Sequence, residues 1–187
     1  LQAVTLAGAT LLQSRAHGKQ MLFCFSKGGW LGLHLGMTGK LRTESAAFVP
    51  VKHDHLVLRQ KKQTLVFGDP RLFGRVLFER GTAAPAWWTN LPPGIFSAQF
   101  TLAACERFLK RHGKAPVKAV LLLQAGFPGI GNWMADEILW QSRLHPRGAA
   151  GKLDGTARKI LFRETRFVAK QAMKIVGEDF SDLPKSW

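Results

Sequence analysis

FPGIGNWMADEILW, residues 127–140, joins a glycine turn to the start of a helix. Gly129 and Gly131 flank Ile130, after which Met134, Ile138 and Gln141, or Trp133 and Trp140, share faces at helical spacing. Asn132 stands at the mouth of that helix. A helix start leaves several N–H groups without internal partners, and the aligned peptide dipoles make that end mildly positive, so an anion such as a DNA phosphate is a natural ligand. Within this window an Asn that simply N-caps a core helix reads equally well. The rest of the chain has to decide.

The 187 residues suffice for one domain or two small ones, and 46% apolar residues are ample for a core. Lys and Arg outnumber Asp and Glu 27 to 12, a formal charge of +15 that points to a polyanion, nucleic acid before acidic membrane. Cys24 and Cys105 lie far apart without metal or redox spacing, which fits free thiols in a reducing interior and encodes no zinc site. The opening LQAVTLAGATLL is interrupted by Gln2, Thr5 and Thr10, is far short of a membrane span, and reads as a strand with its flanks. A start at Leu1 and a stop at Trp187 straight after SDLPKS suggest a piece of a longer protein.

Residues 20–80 carry short runs separated by turn signals: QMLFCFS, WLGLHLG, HDHLVLRQ, QTLVFGD and FGRVLFER. Val, Leu and Phe recur at alternate positions, as in half-buried antiparallel strands of a sandwich or barrel. GTAAPAWWTNLPPGIF, residues 81–96, holds three of the nine prolines and two adjacent tryptophans, which suits a connection partly packed down. From Ser97 the pattern turns helical, with helices expected over 97–112, 116–124, 132–142 and 155–177. In the last of these Lys159, Arg163, Arg166, Lys170 and Lys174 form one stripe beside an apolar arc of Ile160, Phe167, Val168 and Ile175. Such a stripe is more often a solvated face than a DNA contact.

HLGMTG, residues 34–39, ends a strand in a glycine-flanked turn and puts Met37 at a loop tip. DPRLFG, residues 69–74, does the same with Arg71 and Phe73. If both loops leave one edge of the sheet, Met37 and Phe73 can wedge between base pairs while Arg71 hydrogen-bonds an exposed base. Lys19, after Gly18, is placed to pair with a phosphate. Lys52-His53-Asp54-His55 has the composition of a metal site, but strand alternation puts both histidines on one face and Asp54 on the other, with no third ligand, so hydrogen bonding is the better reading.

HLGMTG, KHDH, DPRLFG and GIGNWMADEIL, in this order and at these separations, resemble the formamidopyrimidine-DNA glycosylase and endonuclease VIII family, whose members excise oxidised bases and nick the abasic strand. The resemblance covers nearly all of the chain. It implies an α+β, two-domain fold: an N-terminal antiparallel β-sandwich over residues 1–90 without its N-terminal helix, a linker at 91–96, and a helix-two-turn-helix domain over 97–187. It implies that Lys19, His34 and Asn132 grip phosphates, that Met37, Arg71 and Phe73 fill the gap left by a flipped base with Arg71 meeting the orphaned partner, and that Glu137 is structural. The Arg in DPRLFG is similar to the branch acting on 8-oxoguanine and formamidopyrimidines opposite cytosine. Leu72, where many members carry a second basic residue, and Leu123, where many carry Asp, depart from the pattern.

The family's nucleophile is an N-terminal proline followed by glutamate, and no Pro-Glu pair occurs in the chain. Its zinc ribbon, four cysteines on a hairpin, would follow Trp187. The resemblance therefore implies damaged double-stranded DNA as partner, a monomer in the nucleoid-bearing cytoplasm with no membrane role, no cofactor held by these residues, and one structural zinc in the full-length protein. The competing readings are a non-catalytic DNA-binding protein that recognises lesions or bends, and a ribosomal-type RNA binder, which leaves HLGMTG and DPRLFG without a task.

Overall fold

The alternating Val, Leu and Phe that follow Gln20 become two antiparallel sheets in a computed structural model, which describes residues 6–179. β1 (Leu11–His17), β2 (Gln20–Phe25), β3 (Gly29–His34) and β7 (Arg75–Arg80) form a four-stranded sheet in the order β1-β2-β3-β7. β4 (Lys40–Ser45), β5 (Asp54–Arg59) and β6 (Gln63–Gly68) form a three-stranded sheet in the order β4-β6-β5. Leu22, Leu31, Leu33, Val66 and Phe67 are the buried apolar side chains of these strands. Gly32 is explained by a close approach: a Cβ there would lie 2.5 Å from the Trp87 ring, so the first tryptophan of the WW pair lies over the middle of β3. The second, Trp88, meets His17 edge-on at 6.1 Å. Both sit in α1 (Ala86–Thr89), a single turn.

Two expectations change here. The opening strand starts later than LQAVTLAGATLL suggests: residues 1–5 lie outside the described residues, and Leu6–Ala9 close a turn around Gly8 at φ 65°, so the strand proper is Leu11–His17. The other change is a strand that sequence reading leaves out: β4, KLRTES, is partly buried without regular alternation and lacks the apolar run that marks its neighbours.

The chain divides into two compact units, one ending at Asn90 and the other beginning at Leu91. The second is helical: α2 (Leu102–Arg111), α3 (Val117–Leu121), α4 (Asn132–Gln141) and α5 (Gly155–Asp179). The Thr101 hydroxyl caps α2 by accepting the Ala104 N–H at 3.1 Å. Leu109, Val117, Val120, Leu121, Phe127, Ile130, Ile138 and Leu161 are sealed from solvent, and Phe100 and Phe108 meet Phe127 edge-on at about 6 Å. Ile95 belongs to this core, and its carbonyl accepts from Arg166 at 3.0 Å. On α5 the buried arc runs through Leu161, Thr165 and Val168, about 100° round the helix from Phe167, which is 48% exposed. The expected apolar arc is thus right at Val168 and wrong at Phe167.

Phe67 lies beneath both loops that carry the candidate site, since a Cβ on either Gly39 or Gly74 would collide with its ring. Phe67→Ala is expected to destabilise the protein by about 3–5 kcal/mol through lost transfer and cavity terms. Urea unfolding with an unchanged m-value checks this, and a loss below about 1 kcal/mol would contradict that role.

Candidate nucleic-acid interface

Asp69 ends β6's run into the second loop and is only 1% exposed. Its Oδ1 accepts the Thr38 hydroxyl at 2.8 Å and the Arg71 N–H at 3.3 Å, and its Oδ2 accepts the Gly74 N–H at 2.6 Å. Thr38 belongs to HLGMTG, while Arg71 and Gly74 belong to DPRLFG, so one carboxylate ties the two loops together. The Gly74 N–H, followed by Thr38 and Arg71, holds this carboxyl below the usual range against the opposing effect of burial. Gly36, at φ 69°, lies so close to the second loop that a Cβ would stand 2.6 Å from the Gly74 nitrogen. Only glycine meets both requirements.

This base thrusts apolar side chains outward. Met37 is 70% exposed, Phe73 55% and Leu72 68%, the last at a left-handed φ of 58°. The Arg71 guanidinium lies 4.9 Å from the centre of the Phe73 ring, a cation–π contact that pre-orders the pair. Met37, Arg71 and Phe73 are thus carried on two loops that share one anchor. Leu72, which sequence reading registers only as a departure, joins them as a third apolar tip.

His34, the last residue of β3, stands opposite Gln20 on β2 and Arg75 on β7, and cross-strand partners present their side chains on the same face. Lys19 lies in the β1–β2 turn, where Gly18 takes φ 57°. His34 Nδ1 accepts the Gly36 N–H at 3.0 Å. A backbone N–H can only donate, so Nδ1 carries a lone pair and the neutral ring bears its proton on Nε2. Burial, then the charges of Lys19 and Arg75, push His34 below its ordinary value of 6.5, and burial lowers Lys19 likewise. Arg75 escapes sequence reading because FGRVLF looks like any strand opening, and its place beside His34 exists only once the register is known.

The KHDH segment braces the same anchor. Arg42 donates to Asp54 Oδ1 at 2.8 Å and the Val51 N–H to Oδ2 at 3.0 Å, while His55 Nε2 lies 3.0 Å from the Asp69 carbonyl oxygen. His53 is not in a strand, as alternation assumed, but in a turn at φ 76°, where its carbonyl accepts the Asp69 N–H at 2.9 Å. Among the described residues no group of three or more His, Cys, Asp or Glu could hold a metal ion. Cys24, half-buried on β2, and Cys105, sealed in α2 with its thiol pushed up to about 12 by burial, do not fit a zinc ribbon.

In the helical unit the mouth of α4 is shaped by Gln124. Its Nε2 donates to the Leu122 and Ile130 carbonyls at 3.0 and 2.9 Å, and its Oε1 accepts the Gly129 N–H at 2.9 Å. Gly129 takes φ 93°, and buried Phe127 and Ile130 pin the loop on either side. The N-cap is Gly131, with no side-chain cap, and Asn132 is the first helical residue. An Asn132 cap is therefore corrected: Gly131 takes the extended cap conformation and leaves the Asn132 side chain exposed. No acid occupies the first turn, so nothing anionic competes at that end. Glu137 accepts from Gln141 at 2.6 Å within the helix. On α5, Arg163 pairs with Glu164 at 2.6 Å and Arg166 is engaged with Ile95, so the five-cation stripe is not uniform; Lys159, Lys170 and Lys174 are its exposed lysines, beside an exposed but paired Arg163.

The chain is similar to known proteins along most of its length. The model of the formamidopyrimidine-DNA glycosylase N-terminal domain matches residues 2–76, and that of the formamidopyrimidine-DNA glycosylase H2TH domain matches residues 91–182. The formamidopyrimidine-DNA glycosylase of Roseiflexus sp. (strain RS-1) is 37% identical over 185 residues, covering 95% of this chain and 67% of the relative. The crystal structure of the MutM (Fpg) protein from Thermus thermophilus aligns at a TM-score of 0.78 with 34% identity, covering 90% of this chain and 62% of that one. A structure of MutM in complex with DNA containing carbocyclic 8-oxo-G aligns at 0.83 with 25% identity, covering 91% and 65%. The chain thus spans about two thirds of the length of these relatives.

The perturbed groups set a pH dependence. For His34 the folded pKa is depressed, so the unfolded chain binds the extra proton first; its contribution is fully present above 6.5 and is lost as pH falls through the folded value. Asp69 and Asp54, also depressed, contribute fully above about the ordinary 3.8 and lose that contribution in stronger acid. Urea midpoints between pH 8 and pH 3 are expected to fall in two stages. Asp69→Asn should flatten the acid stage, and an unaltered acid limb in that variant would contradict the anchoring role.

Proposed function

The chain belongs to the formamidopyrimidine-DNA glycosylase family, and from that premise we propose that the full protein is a base-excision-repair DNA glycosylase with AP lyase activity. Its substrates are oxidised purines, 8-oxoguanine and formamidopyrimidine, in duplex DNA. The observation that supports this reading best is the exposed tip of Met37, Arg71 and Phe73 on two loops locked to one buried carboxylate. Such a tip is rigid at its base and apolar at its end, as insertion into a base stack requires.

Excision begins with extrusion of the damaged nucleotide, at a cost of roughly a few kcal/mol of stacking and pairing. Met37 and Phe73 replace the lost stacking, and Arg71 hydrogen-bonds the orphaned base, preferentially cytosine. Lys19 and His34 hold phosphates beside the flipped nucleotide. Asn132, with the N-terminal N–H groups of α4, holds another through the helix dipole.

The chemical step is nucleophilic: a secondary amine attacks the sugar C1′ and loses its proton, the base departs with its bonding pair and takes up a proton, the C1′–O4′ bond opens to leave an iminium ion, and loss of a C2′ proton with departure of the 3′-phosphate cuts the strand. In the family this amine belongs to an N-terminal proline, so none of the residues assigned above is the nucleophile. Residues 1–90 act as the catalytic-type domain, 91–96 as the connection and 97–187 as the DNA-binding domain. The zinc of the full-length protein is held by cysteines other than Cys24 and Cys105. A monomer working at the nucleoid in the cytoplasm fits this role, and among the described residues no helix is long and apolar enough to cross a membrane.

Incubating the full-length protein with 8-oxoguanine duplex and borohydride is expected to yield a covalent protein–DNA adduct by reduction of the iminium ion. A band shift without adduct would assign the protein instead to non-catalytic lesion recognition. Arg71→Ala should lower the preference for cytosine opposite the lesion by about 1–3 kcal/mol; an equal loss with every opposing base would remove Arg71 from that contact. Asn132→Ala should weaken binding to all duplexes alike.

A further inference from the structure

Three cationic or donor side chains meet where the four-stranded sheet opens: Lys19 in the β1–β2 turn, His34 at the end of β3 and Arg75 at the start of β7. His34 and Arg75 are directly opposite each other, hence on one face and about 5 Å apart at Cβ. With His34 neutral, the two cations are Lys19 and Arg75, which stand on either side of it near enough for both charges to act on its ring, and such a pair attracts an anion. The sheet does not supply it. The buried acid of the second loop, Asp69, is engaged by Thr38, Arg71 and Gly74, and among the described residues neither Lys19 nor Arg75 has a carboxylate partner at ion-pair distance. An anion from outside, held between them, supplies the counter-charge.

We propose that Arg75 is a third phosphate ligand of this site, flanking His34 on the side away from Lys19, and that His34 contributes there as a neutral Nε2–H donor between two cations. The inference rests on the DNA-binding reading above and adds to it a residue and a division of roles. Arg75 suits a phosphodiester because its planar fork offers two parallel N–H groups to two oxygens. His34 is fixed as a neutral donor by the Gly36 N–H on its Nδ1. Protonating Nδ1 would break that bond and release the glycine that positions the loop carrying Met37.

The two roles separate in the salt dependence of binding. A cation that neutralises a phosphate releases counterions, whereas a neutral donor releases none. The full-length protein is titrated with a duplex holding a tetrahydrofuran abasic-site analogue at several KCl concentrations. Relative to wild type, Arg75→Gln and Lys19→Gln are each expected to weaken binding and to reduce the slope of log K against log salt by about 1. Arg75→Lys keeps the slope, His34→Gln weakens binding without altering it, and Lys62→Gln, on the exposed β5–β6 turn, changes neither. An Arg75→Gln slope equal to wild type, or a Lys62→Gln slope reduced as much as that of Arg75→Gln, would overturn the assignment of Arg75. A reduced slope in His34→Gln would overturn the neutral donor. Failure of the wild-type protein to bind the duplex at all would instead sink the DNA-binding reading itself, which separates the two failures.

Discussion

The buried carboxylate of Asp69 is the constraint on which the sheet unit's surface depends. Two loops that end in Met37, Leu72 and Phe73 would, if free, fold these side chains down against the nearest apolar surface. They cannot, because their bases are tied to one another through Thr38, Gly74 and Arg71, and because the Gly36 and Gly74 backbones leave no room for sliding. The asymmetry of buried hydrogen bonds enforces this: breaking the tie would strand donors and a charge out of water. The cost of exposing apolar tips is therefore met by polar bonds at their root. KHDH contributes by holding Asp69 from behind, through the His53 carbonyl and the His55 ring on the Asp69 backbone.

The helical unit solves a similar problem with a neutral group. Gln124 bridges Leu122, Gly129 and Ile130 with its amide, fixing the turn that opens α4. A carboxylate could accept the Gly129 N–H but could not donate to the two carbonyls, and its charge would compete for the positive end of the helix. A neutral brace leaves that end available to an external anion. An acidic brace in the sheet unit is tolerable for a different reason: Asp69 is buried and satisfied by backbone and hydroxyl donors, so it does not neutralise the cations of the strand ends.

What could be read from the sequence follows from what kind of signal each feature leaves. Alternation and turn residues mark β2, β3, β5, β6 and β7, and four motifs in order mark the family. β4 is hidden because KLRTES carries no apolar run, and its membership depends on pairing with β6. Met37, Arg71 and Phe73 are legible as loop tips, yet nothing in the sequence reveals that Asp69 joins their loops, since this needs Thr38 to arrive across a separation of 31 residues. Arg75 is missed for the same reason, being defined by register rather than by spacing. Asn132 is found at the right place with the wrong local role, because cap and first-turn positions differ by one residue and Gly131 can serve as cap. Phe167 is misjudged because a helical wheel gives relative angles, not the direction in which the core lies.

A net charge of +15 does not by itself locate a ligand, and the distribution of partners narrows it. Arg42, Lys118, Arg158 and Arg163 are already matched to Asp54 and Glu44, Asp136, Glu106 and Glu164. These pairs stiffen local structure and add little long-range field, because each cation is cancelled within a few ångströms. Among the cations without a carboxylate partner in the described residues, those at the strand ends and those on the exposed face of α5 differ in kind. Lys159, Lys170 and Lys174 stand on long flexible stems in full solvent, where screening weakens any steering beyond about 10 Å. Lys19 and Arg75 instead flank a half-buried histidine whose tautomer is fixed by the backbone. Salt weakens the attraction of cations but not the hydrogen bond of a neutral donor, so a site combining both keeps its geometry when its charge is screened. On this argument the strand ends offer the proposed phosphate a fixed seat, which the α5 lysines on their flexible stems do not.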